Sequence, residues 1–361
     1  MNNQKPNQIT EYYIAYFDIL GYQEFFKETP EKAQDFLNTI HSAITKTKSS
    51  VQLVNESPFV SQMINLQIHT KIFSDNFLLC IEVGTDILKE KLRLILFMSL
   101  IAEIQRRFIT EYGLFIRGGL TKGTLSFNND YIFGKGAIEV VKMEASTQYP
   151  RIAISKKIIA FLTSIQLYSQ KEADRAIAIE NKSKNHEQIS EEDFAFYQKF
   201  LDLCNQELFA QICYANLVYK CADDVCCLSY LYCIDVRSYI PNITLEQVQE
   251  LFKQILPENY EKIPQVFPDI DSVLNIHKSI IEEKLVKYSD YRNIRTDNID
   301  KFEARERILK KYVWAMVYHN YMCEWYNKMN FFINTQANCE RRHMRLVIKV
   351  CDKDGSILNK Y

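Results

Sequence analysis

Two aspartates stand where apolar runs of this chain end. Tyr12–Phe17 (YYIAYF) has the aromatic and aliphatic density of a buried central strand, and Asp18 follows it directly. Asp75 lies in Ser74-Asp75-Asn76, a tight turn between two strand-like runs, Leu66–Phe73 and Phe77–Val83. A carboxylate at the end of a buried strand is costly unless its charge is compensated. A divalent cation compensates it well, because Mg²⁺ takes one or two carboxylates, a backbone carbonyl, waters and phosphate oxygens. Asp18, the Ile19 carbonyl and Asp75 form such a set, and a pair of Mg²⁺ or Mn²⁺ ions is the expected cofactor. The amides of Leu20, Gly21, Tyr22 and Gln23 open the next helix, an intrinsic site for phosphate oxygens. Taken singly, Asp18 also reads as a helix cap and Asp75 as a turn former; it is their joint context that points to a cation.

Further polar residues surround these two. His69 and Lys71 precede the Asp75 turn, share one strand face by alternation, and are candidates to touch a bound base; the plainer reading is two exposed strand residues. Arg117 is a candidate for phosphate, or for pairing with a surface acid. His319, on an aromatic helix, reads as a hydrogen-bonded core or interface residue, and Asp223-Asp224 as a turn or helix start. The arginines Arg341, Arg342 and Arg345 read as a solvated face.

The elements that must position these groups follow from periodicity. After the first strand, residues 23–48 carry a helical apolar face at Phe26, Ala33, Phe36, Ile40 and Ile44. Asp86–Tyr112 predicts a long helix, Leu114–Leu120 a strand, and Lys122–Leu125 a strand pairing with Tyr131–Phe133 across Asn128-Asn129-Asp130. Gly136–Ala145 reads as a helix and Arg151–Ser155 as a strand. The fold expected is α+β: a ferredoxin-like βαββαβ unit with an additional hairpin. In that sheet the first strand and the hairpin after the first helix are central neighbours, so both carboxylates can face one point. Residues 1–165 would form this domain and 166–195, polar and charged, a linker or insertion. Residues 196–361 would form a mostly helical region, with helices at Leu245–Ile255 and Asp300–Asn327 and strands at Leu228–Val236 and Arg345–Val350.

Composition narrows the classes. At 361 residues the chain suits two domains. A formal net charge of −1 argues against broad attachment to nucleic acid or anionic lipid, so neither is an expected partner. The start, MNNQKPNQITEYY, lacks the pattern of a secretion signal, and the run Leu94–Ala102 is far short of a bilayer span, which makes the cytoplasm the expected compartment. The ten cysteines then read as reduced thiols; Cys213, Cys221, Cys226, Cys227 and Cys233 cluster without any C-x2-C spacing, as buried thiols would. Eight of nine glycines lie at or before Gly136, where backbone can approach a ligand most closely.

Four segments in order carry a family likeness. FDILGY (Phe17–Tyr22) resembles the F-D-I-x-G-F element of class III adenylate/guanylate cyclases, and FSDN (Phe73–Asn76) resembles the element bearing their second metal aspartate. RGGLTKGTL (Arg117–Leu125) resembles their glycine-rich strand pair, and FGKGAIEVVKMEASTQYPRI (Phe133–Ile152) their next helix and strand. Within that family the chain is most similar to the bacterial anti-phage pyrimidine cyclases, the Pycsar group, which also tend to carry a K-Y-x-W…Y-H-N helix, matched by Lys311, Tyr312, Trp314, Tyr318, His319 and Asn320.

The resemblance implies a homodimer with active sites at the interface, one subunit supplying the metal aspartates and the other the base-contacting and transition-state residues. It places Tyr131 at a base-recognition position, Lys142 where many members have a transition-state arginine, and Ile138 where they have asparagine. It implies conversion of a nucleoside triphosphate, UTP or CTP above all, to a 3′,5′-cyclic mononucleotide and pyrophosphate, with a separate effector protein reading the product. Lys142 lacks an arginine's bidentate fork, and Ile138 cannot hydrogen-bond a ribose. These departures sustain a second expectation, a nucleotide-binding or regulatory module that keeps the fold without the catalysis. Lys142 and Tyr131 also have plainer readings, as a solvated helix lysine and a packed strand residue.

Overall fold

The apolar runs of the first third pair into one sheet, which the rest of the chain extends and covers. The computed structural model describes residues 9–22, 66–85, 87–127, 131–164, 170–201, 217–221, 223–231, 269–289 and 299–333, with a few isolated positions and two short C-terminal strands. The expected helix at Leu245–Ile255, most of that at 23–48, and Arg341, Arg342 and Arg345 lie outside them.

In chain order the elements are β1 (Thr10–Leu20), β2 (His69–Phe73), β3 (Asn76–Glu82), α1 (Ile87–Tyr112), β4 (Phe115–Phe127), β5 (Ile132–Phe133), α2 (Lys135–Ser146), β6 (Ile152–Ile154) and α3 (Lys156–Thr163). There follow α4 (Gln170–Lys184), β7 (Val218–Lys220), β8 (Cys226–Leu228), α5 (Ile270–Ser289) and α6 (Ile299–Trp325). The architecture is mixed α and β. The sheet order is β2-β3-β1-β4-β6-β8-β7, with β5 paired to the end of β4. Neighbours are antiparallel except β4 and β6, which run parallel and are joined by the crossover helix α2.

Strand parity sorts β1 into two faces. Tyr13, Ala15, Phe17 and Ile19 join Phe77, Leu79 and Ile81 of β3 against Leu94, Phe97, Ile101 and Phe108 of α1. Phe17 and Phe77 meet at 4.7 Å between ring centroids, and Phe77 stacks on Phe108 at 5.6 Å. Each of these fully buried rings stabilises the fold by about 1.5–3 kcal/mol relative to exposure. The even residues take the other face, where Ile14 packs with Leu78, Cys80, Leu125 and Val140 of α2. Asp18 shares that parity and so lies on the α2 side. Gly119 lets α2 approach β4: a Cβ there would meet the Met143 Cβ at 2.7 Å, closer than real side chains tolerate.

One expectation is corrected, and two other stretches gain detail. The two strands at Leu114–Leu120 and Lys122–Leu125 are one continuous strand, β4, because β1 pairs with it without a break from Leu125 to Phe115. The polar stretch foreseen as a linker or insertion contains α4, whose residues are good helix formers. Its Ala176 and Ile179 are buried, and Arg175 pairs with Asp193 at 2.9 Å while stacking on Phe196. Of the strand expected at Leu228–Val236, Leu228 is the last residue of β8 and Tyr230 and Leu231 form a turn, while residues 232–236 lie outside the described residues.

The later part of the chain also contributes to the sheet. β8 pairs with β6 at Ala153 and Cys227, and the turn between β7 and β8 holds Asp223, whose carboxylate receives both terminal guanidinium nitrogens of the buried Arg151. Among the described cysteines none is in a disulfide; Cys221 and Cys227 are buried, in line with structural thiols. No described helix is long and apolar enough to cross a membrane.

α5 and α6 enclose a second core around Trp314, Tyr318 and Tyr230. Through it runs a buried chain of hydrogen bonds. His319 Nε2 lies 2.9 Å from the Phe331 carbonyl, so that nitrogen carries the proton and donates. Its Nδ1 then accepts from His277 Nδ1 at 3.0 Å, and His277 Nε2 accepts from the Tyr230 hydroxyl at 3.2 Å. With both rings neutral each of these bonds has a donor and an acceptor, and a buried ring that gained a proton would carry a charge shielded from water. Burial, with the His319 ring beside it, holds His277 well below the usual histidine range. Burial likewise pushes His319 down to about 4, against the upward pull of its bond to the Phe331 carbonyl and assisted by the Lys278 charge.

A pH dependence follows, with its sign fixed by the unfolded state taking up protons first. Stability is full above pH 6.5 and falls as pH drops towards 4, by on the order of 3 kcal/mol from His319 alone. Urea unfolding across pH 7.5 to 4.5 measures it; His319→Gln, unable to protonate, would flatten the slope, and an unchanged slope would contradict the assignment.

Candidate functional site

The site is built where β1 runs out. Asp18 faces Asn76 of β3 on one side and Arg117 of β4 on the other in the strand register. The β2–β3 hairpin closes through the two-residue turn Ser74-Asp75, with Ser74 at φ 58°, as such turns demand of their first residue. The turn is then fastened to β1: the Ile19 amide donates to the Asp75 carbonyl at 3.2 Å, and the Ser74 hydroxyl donates to the Tyr22 hydroxyl at 3.4 Å. Those two bonds bring residues 57 positions apart in sequence, Asp18 and Asp75, to one cavity. Beyond Leu20 the chain turns at Gly21, whose φ of 87° is easy only for glycine, and Tyr22 begins a helix.

The cavity measures about 600 Å³. Asp18 to Tyr22, Asp75, Phe115, Arg117 and Pro150 line its sheet side, and Tyr288 of α5 with Ala304, Ile308, Lys311 and Tyr312 of α6 line the other. Tyr288 and Tyr312 stack at 5.6 Å, and Tyr312 meets Phe115 edge-on, so one wall is aromatic.

Charge is concentrated at the sheet side. Arg117 Nε lies 2.9 Å from Asp18 Oδ2 and 2.8 Å from Glu144 Oε1, one N–H facing two carboxylates, while Nη1 donates to the Thr147 carbonyl at 3.2 Å. Glu144 reaches this point because Gly136, Val140 and Glu144 form the buried stripe of α2. Burial pushes the Asp18 carboxyl above the usual carboxylate range; Arg117 draws it back down, and Asp75 raises it. Glu144 is raised in the same way, by burial first and by Asp18 and Asp75 after Arg117's opposing pull. The Lys311 ammonium is lowered by burial and by the Arg117 charge, with Asp18 and Glu144 opposing. Three acids and two bases thus share one electrostatic environment.

The donor set suits a hard cation that arrives with phosphate. Arg117 contacts one oxygen of Asp18, and Asn76 Nδ2 contacts Oδ1 of Asp75 at 3.1 Å, leaving the second oxygen of each carboxylate outside these bonds. Among the described residues no group of three or more His, Cys, Asp or Glu side chains gathers as a cage. Mg²⁺ requires none, since phosphate oxygens and water complete its shell.

Of the residues expected from sequence, Asp18, Ile19, Leu20, Gly21, Tyr22, Asp75 and Arg117 all line the cavity. His69 and Lys71 do not line it. They lie on β2 opposite Cys80 and Leu78, hence on the same face as Asp18, and His69 meets Tyr12 edge-on at 6.3 Å. Tyr131 and Lys142 are exposed and outside the cavity. Sequence reasoning missed the contributions of Glu144, Lys311, Tyr288 and Tyr312. Lys311 and Tyr312 belong to a motif visible in the sequence, but nothing local reveals that their helix returns to the end of β1.

No family model matches the chain, and no curated protein matches it. Among solved structures, one titled a class III adenylyl cyclase-like ATP-binding protein, from Pseudomonas aeruginosa, is similar over 44% of this chain, with 16% identity and a TM-score of 0.31. The match covers 36% of that protein's own length.

Proposed function

We propose that this chain is a metal-dependent nucleotidyl cyclase that joins the ribose 3′-hydroxyl of a nucleoside triphosphate to its α-phosphorus and releases pyrophosphate. The observation that carries the reading is the convergence of Asp18 and Asp75 on one cavity beside the amides of Leu20, Gly21 and Tyr22. The order β2-β3-β1-β4, with β1 antiparallel to both neighbours, supports the ferredoxin-like form of the domain. The likeness of residues 17–22, 73–76, 117–125 and 133–152 to class III cyclases, and of the Lys311–Asn320 motif to the Pycsar group, favours UTP or CTP as substrate. Under this reading the product is a signal of phage infection, made in the cytoplasm and read by a separate effector.

In this scheme Asp18, Asp75 and the Ile19 carbonyl hold two Mg²⁺ or Mn²⁺ ions. Bound there, the ions would supply activation of the attacking hydroxyl and neutralisation of the leaving pyrophosphate. The amides of Leu20 to Tyr22 orient phosphate oxygens at the start of a helix. Arg117, held between Asp18 and Glu144, keeps the Asp18 carboxylate in place and lies within the same charge cluster. His69, Lys71 and Tyr131 would contact the base, and Lys142 of a second subunit would offer charge to the pyrophosphate. A homodimer is supported by apolar surface around α2: Phe133 is 69% exposed, Ile138 57%, Tyr131 45% and Val141 40%.

A second reading, a nucleotide-binding or regulatory module without turnover, is favoured by the ion pair between Arg117 and Asp18, which sets a fixed cation against a proposed metal ligand. One assay separates the two. Incubation with each of the four ribonucleoside triphosphates and Mn²⁺ or Mg²⁺, followed by mass spectrometry, would yield a 3′,5′-cyclic mononucleotide from the wild type. Asp18→Ala and Asp75→Ala would each lower its rate by about a thousandfold or more, the worth of several kcal/mol of charge stabilisation. Triphosphate binding without product would favour the module, and an oligonucleotide product would point to polymerase-type chemistry.

The dimer is tested separately. Sedimentation should give twice the 42.6 kDa chain mass. Phe133→Glu should shift it towards monomer and remove activity together; a monomeric, fully active protein would exclude a shared site.

A further inference from the structure

The two cationic side chains lining the cavity are not equivalent. Arg117 is committed: its guanidinium hydrogen-bonds Asp18 and the Thr147 carbonyl and ion-pairs with Glu144. Lys311 approaches from α6 on the opposite wall, and its ammonium makes no ion pair or side-chain hydrogen bond among the described residues. Its neighbours on that wall, Ala304, Ile308, Tyr288 and Tyr312, carry no carboxylate to neutralise it. Asp18 and Asp75 line the same cavity but make no direct pair with Lys311; a half-buried ammonium without a bonded partner carries a desolvation cost, which an anionic guest bound between the walls reduces.

We infer that Lys311, delivered by α6, is a triphosphate-binding cation of this cavity, so that the later part of the chain supplies phosphate contact from the same subunit as Asp18 and Asp75. The inference rests on the proposed function for the identity of the guest. A triphosphate whose metal-bound oxygens face Asp18 and Asp75 still presents anionic oxygens to the other wall. A lysine serves there as a compact point charge on a flexible stem, a common phosphate binder that needs no fixed fork. The residues around it explain its placement. Tyr312, the next residue, packs between Phe115 and Tyr288, and Trp314 stacks on Tyr149 at 6.0 Å, next to Pro150 in the cavity wall. These rings fasten α6 to the sheet side by side with the site.

The test is calorimetric titration of the full-length chain in Mn²⁺ with ATP, GTP, CTP, UTP, a nucleoside monophosphate and inorganic tripolyphosphate, alongside cyclisation of the same triphosphates. Lys311→Met should weaken triphosphate and tripolyphosphate binding by about ten- to a hundredfold, and weaken the monophosphate far less. Lys311→Arg should restore most of the affinity, and melting curves of all variants should match the wild type. Equal affinities in wild type and Lys311→Met overturn the inference, as does a parallel loss for triphosphate and monophosphate. Cyclase failure looks different: a wild type that binds triphosphate through Lys311 but forms no cyclic product leaves the inference standing and removes the catalytic reading. A wild type that binds neither triphosphate nor tripolyphosphate overturns both.

Discussion

A carboxylate at the inner end of a buried strand must be answered by positive charge, and here the answer to Asp18 organises the site. Arg117 lies directly across the β1–β4 register and meets Asp18 at 2.9 Å. The same guanidinium draws in Glu144 from α2, so two acids share one base, and burial raises the carboxyl group of each. Such a cluster holds its members in place without saturating their charge. Asp18, Asp75 and Glu144 outnumber Arg117 and Lys311, which leaves the cavity mildly acidic before any guest arrives. Under the proposed function, a cavity of that weak net charge would accept a divalent ion already carried by phosphate.

The hairpin turn matters as much as the charges. Asp75 has no sequence-local reason to lie beside Asp18; the Ile19 amide bonded to the Asp75 carbonyl supplies it. Since the Ile19 side chain is buried in the main core, the position of that amide inherits the rigidity of the packing against α1. Backbone geometry, core packing and site geometry are therefore one system, and a site carried on strand ends is better fixed than one on free loops.

The later part of the chain is bound into that system at two places. At the sheet's far edge β8 pairs with β6, with Arg151 clamped to Asp223. Across the cavity the aromatic residues of α5 and α6 pack against Phe115 and Tyr149. The neutral histidine pair inside this second core ties α5, α6 and the turn after β8 together through buried hydrogen bonds. Tyr131, Phe133 and Lys142 are exposed and lie outside the cavity lining.

Much of the candidate site was legible in the sequence because it depends on local rules. Turn chemistry set Ser74-Asp75. The apolar run before each aspartate marked it as a costly charge. Periodicity also located α1, α2 and α6 to within a residue or two. It failed where pairing partners decide: nothing in Lys122 shows that β1 would hold β4 straight through it, and nothing in a polar stretch of helix formers shows that Ala176 and Ile179 would be buried. The chain's own order of residues thus determined which groups could bind a cation and where they fall along each element. Only the tertiary structure decided that Arg117 answers Asp18 and that Glu144 joins them. It also brought Lys311, 293 positions from Asp18, to the opposite wall. Contacts between such distant residues arise from the packing of whole elements, and no local pattern records them.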